Sequence, residues 1–264
     1  MLNKRIVSSL ILFFFILATM FVDWLTAVVV IIFTIAGLYE FFTMLENKGI
    51  SIYKYFGIAM GTIIPVSILM RFELTKTWEL SFIVLALVIL MLMQFRRREN
   101  SGAIVGISTT IFGVLYISWF LSFMIKIRYL PCGLGLFATV IIITKLGDIG
   151  AYLVGMRFGK TPLFPRISPK KSIEGAIGGL LFSVLGALSC KGLMGLAYVH
   201  LIFIGVFLGI LGQLGDLSES LMKRDCQIKD SSNLVPGIGG VLDLVDSLLF
   251  TAPAFYFYMS IVLR

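Results

Sequence analysis

Long apolar runs separated by short polar stretches dominate the hydrophobic pattern of this chain. A helix that crosses the hydrocarbon core of a bilayer needs about 20 apolar residues, because each residue adds about 1.5 Å along the axis. The pattern predicts about nine such helices, several of them short or interrupted by glycine. We therefore predict an all-α polytopic integral membrane protein. The approximate ranges are 6–22, 25–44, 55–70, 79–95, 103–125, 129–146, 173–190, 193–215 and 238–262.

Composition and charge agree with this pattern and add an orientation. The 264 residues are 59% hydrophobic, with a mean hydropathy of +1.02. If the N-terminus is cytoplasmic, most Lys and Arg residues fall in the inner loops, which is the bias expected of membrane proteins. The net charge of +8 follows from this bias, and no motif indicates nucleic-acid binding. The three cysteines are widely spaced and match no zinc or disulfide pattern.

Polar residues divide the chain into two parts. Residues 1–140 predict N-terminal transmembrane helices joined by short loops, and Glu40 is expected to face water at the inner end of its helix. Residues 141–264 predict a C-terminal transmembrane catalytic region with cytoplasmic loops at 145–172 and 216–237. Because charged groups are costly near a bilayer, charge clusters in these loops indicate pairing, metal binding or a polar substrate.

The first of these loops contains two adjacent lysines, Lys170 and Lys171, between the hydroxyl groups of Ser168 and Ser172. Ammonium and hydroxyl groups suit phosphate oxygens, and Ser172 is also suited to cap the helix that follows. The alternative is a basic loop that only fixes the topology. Upstream glycines recur at short steps and allow close approach of either a second helix or a ligand: Gly147, Gly150, Gly155 and Gly159.

Carboxylates concentrate where the eighth predicted helix ends and the ninth begins. On a continuing helix, Asp216, Ser220 and Lys223 share one face. The ninth helix opens with a glycine-rich turn that lets a ligand reach the backbone. Asp243 and Asp246 then project together, because they are three residues apart. Carboxylates on two adjacent helices can hold Mg²⁺, whose coordination is usually completed by substrate phosphates.

Basic residues lie among these acids: Lys223, Arg224 and Lys229. Acids for a metal and bases for phosphate are what nucleotidyl transfer requires. Spacing alone leaves two alternatives open, a solvated ion-paired loop that caps two helices and the cation site of a transporter. A transporter more often places its acids at mid-bilayer on broken helices with repeat symmetry, and no internal repeat is visible here.

A set of residues with fixed spacing extends through this segment: Ser220, Lys223, Arg224, Lys229, Asp230, Pro236, Gly237, Gly239, Gly240, Asp243 and Asp246. This set resembles the signature of the phosphatidate cytidylyltransferase (CDP-diacylglycerol synthase) family of bacterial membrane enzymes. The segment from Asp148 to Gly175 is also similar to that family. Two positions depart from the pattern, because Ile238 stands where the family usually has histidine and Leu244 where it usually has arginine.

The resemblance implies an enzyme that converts CTP and phosphatidic acid into CDP-diacylglycerol and pyrophosphate in phospholipid biosynthesis. It implies one or two Mg²⁺ ions on Asp216, Asp243 and Asp246, with room for a monovalent cation at the same carboxylates. Catalytic roles then fall to Asp243, Asp246, Lys223 and Lys229. Substrate-binding roles fall to Ser168, Lys170, Lys171, Ser172, Ser220, Arg224, Gly239 and Gly240.

The resemblance also implies a homodimer in the bacterial cytoplasmic (inner) membrane, with the active site facing the cytoplasm. The nearest alternative is a related CTP-dependent enzyme, either a kinase of a lipid alcohol or a cytidylyltransferase of another lipid phosphate. The cation-coupled membrane transporter is the second alternative. Dependence of the activity on the nucleotide and on the lipid phosphate separates these three hypotheses.

Overall fold

The computed structural model describes residues 22–71, 76–97, 101–232 and 239–263, and over these residues the chain is mainly helical. A two-stranded antiparallel hairpin accompanies the helices. In chain order the elements are α1 (Asp23–Asn47), α2 (Lys54–Leu69), α3 (Lys76–Phe95), α4 (Ala103–Gly113), a π-helix (Val114–Trp119), α5 (Phe120–Arg128), α6 (Gly133–Phe158), β1 (Pro162–Phe164), β2 (Ser168–Ser172), α7 (Ile173–Ser189), α8 (Lys191–Met194), α9 (Tyr198–Asp225) and α10 (Leu242–Val262).

Five stretches of the described chain are helical, long and apolar enough to cross a bilayer. They are α1, the continuous run from α4 to α5, α6, α9 and α10. The predicted runs 55–70, 79–95 and 173–190 form shorter apolar helices. The predicted run 6–22 lies outside the described residues. The chain is therefore a helical membrane protein, and nine spans remain a prediction.

The chain divides into two compact units, each built from two segments. The first unit consists of Met1–Ile125 and Ser231–Leu242. Its core contains Phe42, which is fully buried. The Phe42 ring occupies the space that a side chain at Gly57 of α2 would need. A Cβ at Gly57 would lie 2.6 Å from the Phe42 ring, so the absence of a side chain there lets α1 and α2 approach closely.

Glu40 of α1 is the most unexpected residue of the first unit. Its side chain is 2% exposed, so the prediction that it faces water is wrong. The carboxylate accepts hydrogen bonds from the hydroxyls of Ser232 (2.5 Å) and Ser231 (3.2 Å). It also accepts from the backbone N–H groups of Val241 (2.9 Å) and Leu242 (2.8 Å). These four donors explain the burial, because a buried carboxylate is tolerated when its oxygens are fully hydrogen-bonded.

Two glycines that precede α10, Gly239 and Gly240, accommodate this carboxylate. A Cβ at Gly240 would lie 2.7 Å from Glu40 Oε1, so a side chain at this position would displace the acid. Gly239 adopts a φ of +128°, which favours glycine. Gly239 and Gly240 were predicted to bring the backbone close to a ligand. The structure instead places a protein carboxylate against Gly240.

The second unit consists of Lys126–Asp230 and Asp243–Arg264. Glycines allow α6 and α7 to pack closely, since a Cβ at Gly150 would overlap the Phe182 ring and a Cβ at Gly147 would overlap the Ser183 hydroxyl. Of the two predicted alternatives, these two glycines therefore allow close approach of a second helix. The single histidine, His200 of α9, hydrogen-bonds the Tyr258 hydroxyl of α10 at 2.6 Å.

Both predicted loops begin later than the hydropathy pattern suggested. Residues 145–158 were predicted as loop but continue α6. Residues 216–225 continue α9, which agrees with the continuing helix on which Asp216, Ser220 and Lys223 were predicted to share one face. The remainder of the first loop forms the β1–β2 hairpin, in which Pro162 pairs with Ser172 and Phe164 with Ser168. The apolar pattern does not mark these helix ends, because a helix is held by backbone hydrogen bonds and can therefore extend beyond its apolar residues. Asp148 in this part of α6 and Asp216 in this part of α9 line the cavity of this unit.

Candidate active site

A cavity of about 550 Å³ lies within the second unit. Its volume is within the range of about 300–1,000 Å³ that is typical of ligand pockets. Residues from α6, the hairpin, α7, α9 and α10 surround it. Its apolar lining includes Tyr152, Met156, Leu163 and Leu217. Its polar lining consists of Asp148, Ser168, Lys170, Lys171, Ser172, Gln213, Asp216, Asp243 and Asp246.

The first turns of α10 carry two of the lining acids, as predicted from their spacing. Asp246 is 8% exposed, and its Oδ1 accepts from the backbone N–H of Ser247 at 2.5 Å. Asp243 is 12% exposed, and its Oδ1 lies 2.5 Å from the Lys223 ammonium. Lys223 also contacts Glu219 Oε2 at 2.7 Å. The lysine therefore joins an acid of α9 to an acid of α10.

The hairpin and the start of α7 supply the basic side of the cavity. Lys171 forms an ion pair with Asp216 of α9, and Lys170 is exposed beside it. The Ser172 hydroxyl accepts from the backbone N–H of Gly175 at 3.1 Å. The predicted capping role of Ser172 is thus confirmed. Glu174 accepts from the backbone N–H groups at 160 and 161, at 3.1 and 3.2 Å, and so fastens the turn before β1 to α7.

Sequence reasoning missed the role of Lys145, which it counted only as a loop charge. The Lys145 ammonium donates to Asp148 Oδ2 at 3.0 Å. It also donates to the Leu244 carbonyl and to the Ser247 hydroxyl, each at 3.2 Å. The Ser247 hydroxyl in turn donates to Asp148 Oδ2 at 3.1 Å. No sequence motif signals this network, because its members lie on two helices about a hundred residues apart.

Several predicted site residues in the described part of the chain do not line the cavity, although one of them, Lys223, contacts the lining acid Asp243. Ser220, Lys223, Arg224 and Lys229 are not among the residues that line the cavity. The Arg224 guanidinium donates to the carbonyls of Ile167 (3.3 Å) and Ile228 (3.4 Å), and thereby braces the hairpin. Lys229 is exposed beyond the end of α9. Ile238 lies outside the described residues.

The acids of the cavity can be compared with the ligands that Mg²⁺ prefers. Within the described ranges, no group of three or more His, Cys, Asp or Glu side chains is close enough to hold a metal ion. Asp216, Asp243 and Asp246 nevertheless face one cavity, and all their donor atoms are oxygens. Mg²⁺ prefers oxygen ligands and takes only one or two from protein, with water and substrate phosphates completing its shell. The donor set therefore fits this ion.

Comparison with known proteins gives the family. A model of the "Cytidylyltransferase family" matches residues 3–262, which is nearly the whole chain. The chain belongs to the cytidylyltransferase family. The match covers every element that lines the cavity, so the acidic and basic groups described above lie within the part of the chain that matches the family.

Individual relatives agree with the family match. The chain is 32% identical over 267 residues to a phosphatidate cytidylyltransferase of Thermotoga maritima, an alignment that covers 98% of this chain and 96% of that enzyme. It is 31% identical over 277 residues to one of Synechocystis, covering 91% and 90%. A Bacillus subtilis phosphatidate cytidylyltransferase is 39% identical over 150 residues, covering 56% of each chain.

Proposed function

We propose that the protein is a phosphatidate cytidylyltransferase, which transfers the cytidylyl group of CTP to phosphatidic acid and releases pyrophosphate. The observation that carries the proposal is the cavity of the second unit, which brings acids and bases together in a member of the cytidylyltransferase family. Two relatives that align with more than nine-tenths of this chain are named phosphatidate cytidylyltransferase.

Different residues of the cavity act on different parts of the reaction. The phosphate of phosphatidic acid attacks the α-phosphorus of CTP, a new phosphoanhydride bond forms, and the bond to pyrophosphate breaks. Lys170 and Lys171 bind phosphate oxygens and spread the developing negative charge. Asp216, Asp243 and Asp246 would hold Mg²⁺, which supplies further positive charge beside the phosphates. No general base is needed, because a phosphomonoester is already an anion at neutral pH.

The proposal includes the placement of the enzyme in its membrane. Nine spans with a cytoplasmic N-terminus put the cavity at the cytoplasmic face of the inner membrane, where CTP is available. The acyl chains of the substrate stay in the bilayer while the headgroup enters the cavity. The resemblance also implies a homodimer. Light scattering of the detergent-solubilised protein would measure its mass.

The first test is transfer of label from α-³²P-CTP into chloroform-soluble lipid by the purified protein in detergent. We expect labelled lipid only when phosphatidic acid and Mg²⁺ are both present, and none after EDTA removes the metal. Diacylglycerol replaces phosphatidic acid in the matched control. If folded protein transfers no α-label, the proposal fails. Transfer from γ-labelled CTP to diacylglycerol would then favour the lipid kinase.

Among the lysines predicted to bind or act on substrate, Lys171 and Lys229 should respond differently to substitution. Lys171 lines the cavity, so Lys171→Met should raise the KM for CTP by about tenfold, as expected for the loss of one charge-assisted phosphate contact. Lys229 is exposed and outside the cavity, so Lys229→Met should change KM by less than about twofold. Steady-state label transfer measures both. Equal losses in the two variants would restore Lys229 to the site.

A further inference from the structure

Lys145 holds the turn of α10 that carries the candidate metal ligands. Its ammonium contacts the Leu244 carbonyl at 3.2 Å, and Leu244 lies between Asp243 and Asp246 in the chain. The same ammonium contacts the Ser247 hydroxyl at 3.2 Å, and the Ser247 backbone N–H donates to Asp246 Oδ1 at 2.5 Å. One lysine therefore reaches the backbone and, through Ser247, the carboxylate of Asp246.

Lys145 is also a positive charge fixed among carboxylates. It forms an ion pair with Asp148 at 3.0 Å and interacts electrostatically with Asp246 and Asp216. All three acids line the cavity. Carboxylates that share a site repel one another unless a cation lies between them. In the absence of a metal ion, Lys145 supplies that cation from α6.

We propose that Lys145 is a positioning residue that holds the carboxylates of the cavity in place and partly neutralises them before Mg²⁺ binds. The proposal deepens the proposed function and rests on it. Two consequences follow from a fixed charge at this position. The metal-free protein depends on Lys145 for stability. The lysine also weakens cation binding, because two positive charges near the same carboxylates repel each other.

The test compares Lys145→Met, which removes the charge and keeps the length, with Lys145→Arg, which keeps the charge. Arg157→Met on the same helix is the matched control, since Arg157 is exposed and does not line the cavity. The readouts are binding of Mn²⁺ followed by its electron paramagnetic resonance signal, thermal unfolding with EDTA or Mg²⁺, and label transfer. The first two need no substrate turnover.

We expect Lys145→Met to bind Mn²⁺ about 3- to 10-fold more tightly, as removal of one nearby charge predicts. It should unfold at a lower temperature in EDTA, with most of the loss recovered in Mg²⁺. Its kcat should fall by about tenfold or more, as for a small misplacement of reacting groups, while the KM for CTP changes by less than about twofold. Lys145→Arg and Arg157→Met should stay close to the wild type in Mn²⁺ affinity and unfolding temperature.

Three results would overturn the proposal. Unchanged Mn²⁺ affinity in Lys145→Met would show that the charge does not reach the metal site. A higher KM with unchanged kcat would assign Lys145 to substrate binding. Equal destabilisation in EDTA and in Mg²⁺ would show that a metal ion cannot replace the lysine. Failure of the proposed function is distinguishable, because the wild type itself would then transfer no label while the metal-binding and unfolding results would stand.

Discussion

The Asp243→Asn variant should lose synthesis of CDP-diacylglycerol, with kcat lower by about 10³-fold, the size of effect seen when one preorganised electrostatic contact to a reacting phosphate or oxyanion is removed. Asp243 lines the cavity and is a predicted metal ligand. Asparagine keeps the size of the side chain but removes the charge that attracts Mg²⁺. It also removes the ion pair between Asp243 and Lys223. Label transfer at saturating CTP and phosphatidic acid measures the loss.

The control for Asp243 is Asp225→Asn at the end of α9. Asp225 is exposed and does not line the cavity, so kcat should remain within about twofold of the wild type. Both variants should elute as folded protein from gel filtration in detergent. If Asp243→Asn retains a near-normal rate, Asp243 is not a metal ligand, and the assignment passes to Asp216 and Asp246.

The Glu40→Gln variant should show the largest loss of stability, about 3 kcal/mol in the free energy of unfolding. The carboxylate accepts four hydrogen bonds inside the first unit, and bonds to a charged acceptor contribute about 1.5–3 kcal/mol each. Glutamine directs an NH₂ group toward donors and leaves at least one buried N–H unsatisfied. Thermal unfolding in detergent, followed by circular dichroism, measures the effect.

Glu46→Gln on the same helix is the matched control for Glu40. Glu46 is 44% exposed and forms an ion pair with Lys54 at 2.9 Å. The partner Lys54 is only 9% exposed, but its ammonium also donates to the Thr43 hydroxyl at 2.8 Å. Loss of this partly exposed pair should therefore cost about 1 kcal/mol, so the two glutamate variants should differ clearly. Equal unfolding temperatures would mean that the bonds to Glu40 contribute little to the stability of the folded protein.

The sequence identified the residues whose chemistry depends on near neighbours. Asp243 and Asp246 were predicted to project together because their spacing matches the helical repeat, and both line the cavity. Ser172 was predicted as a helix cap because capping is a property of adjacent residues. The β-hairpin was not predicted, because the segment that contains it was predicted as part of the cytoplasmic loop 145–172.

The residues that the sequence did not identify act through partners far away in the chain. Lys145 and Leu244 are 99 residues apart, and Glu40 and Leu242 are 202 apart. Helical periodicity indicates which side chains share a face but not which helix that face contacts. Lys223 illustrates both cases. Its pairing with Glu219, four residues earlier, follows from helical spacing, whereas its pairing with Asp243 on α10 does not.

The burial of Glu40 has a consequence for how the protein is made. The ribosome synthesises α1 early, whereas the donors to its carboxylate, Ser231, Ser232, Val241 and Leu242, follow about 200 residues later. Throughout that interval, a charged side chain in an apolar helix lacks its native partners, and such a group is costly in a bilayer. The first unit therefore completes its core only after the start of α10 has been synthesised, which makes its assembly a late event in biogenesis.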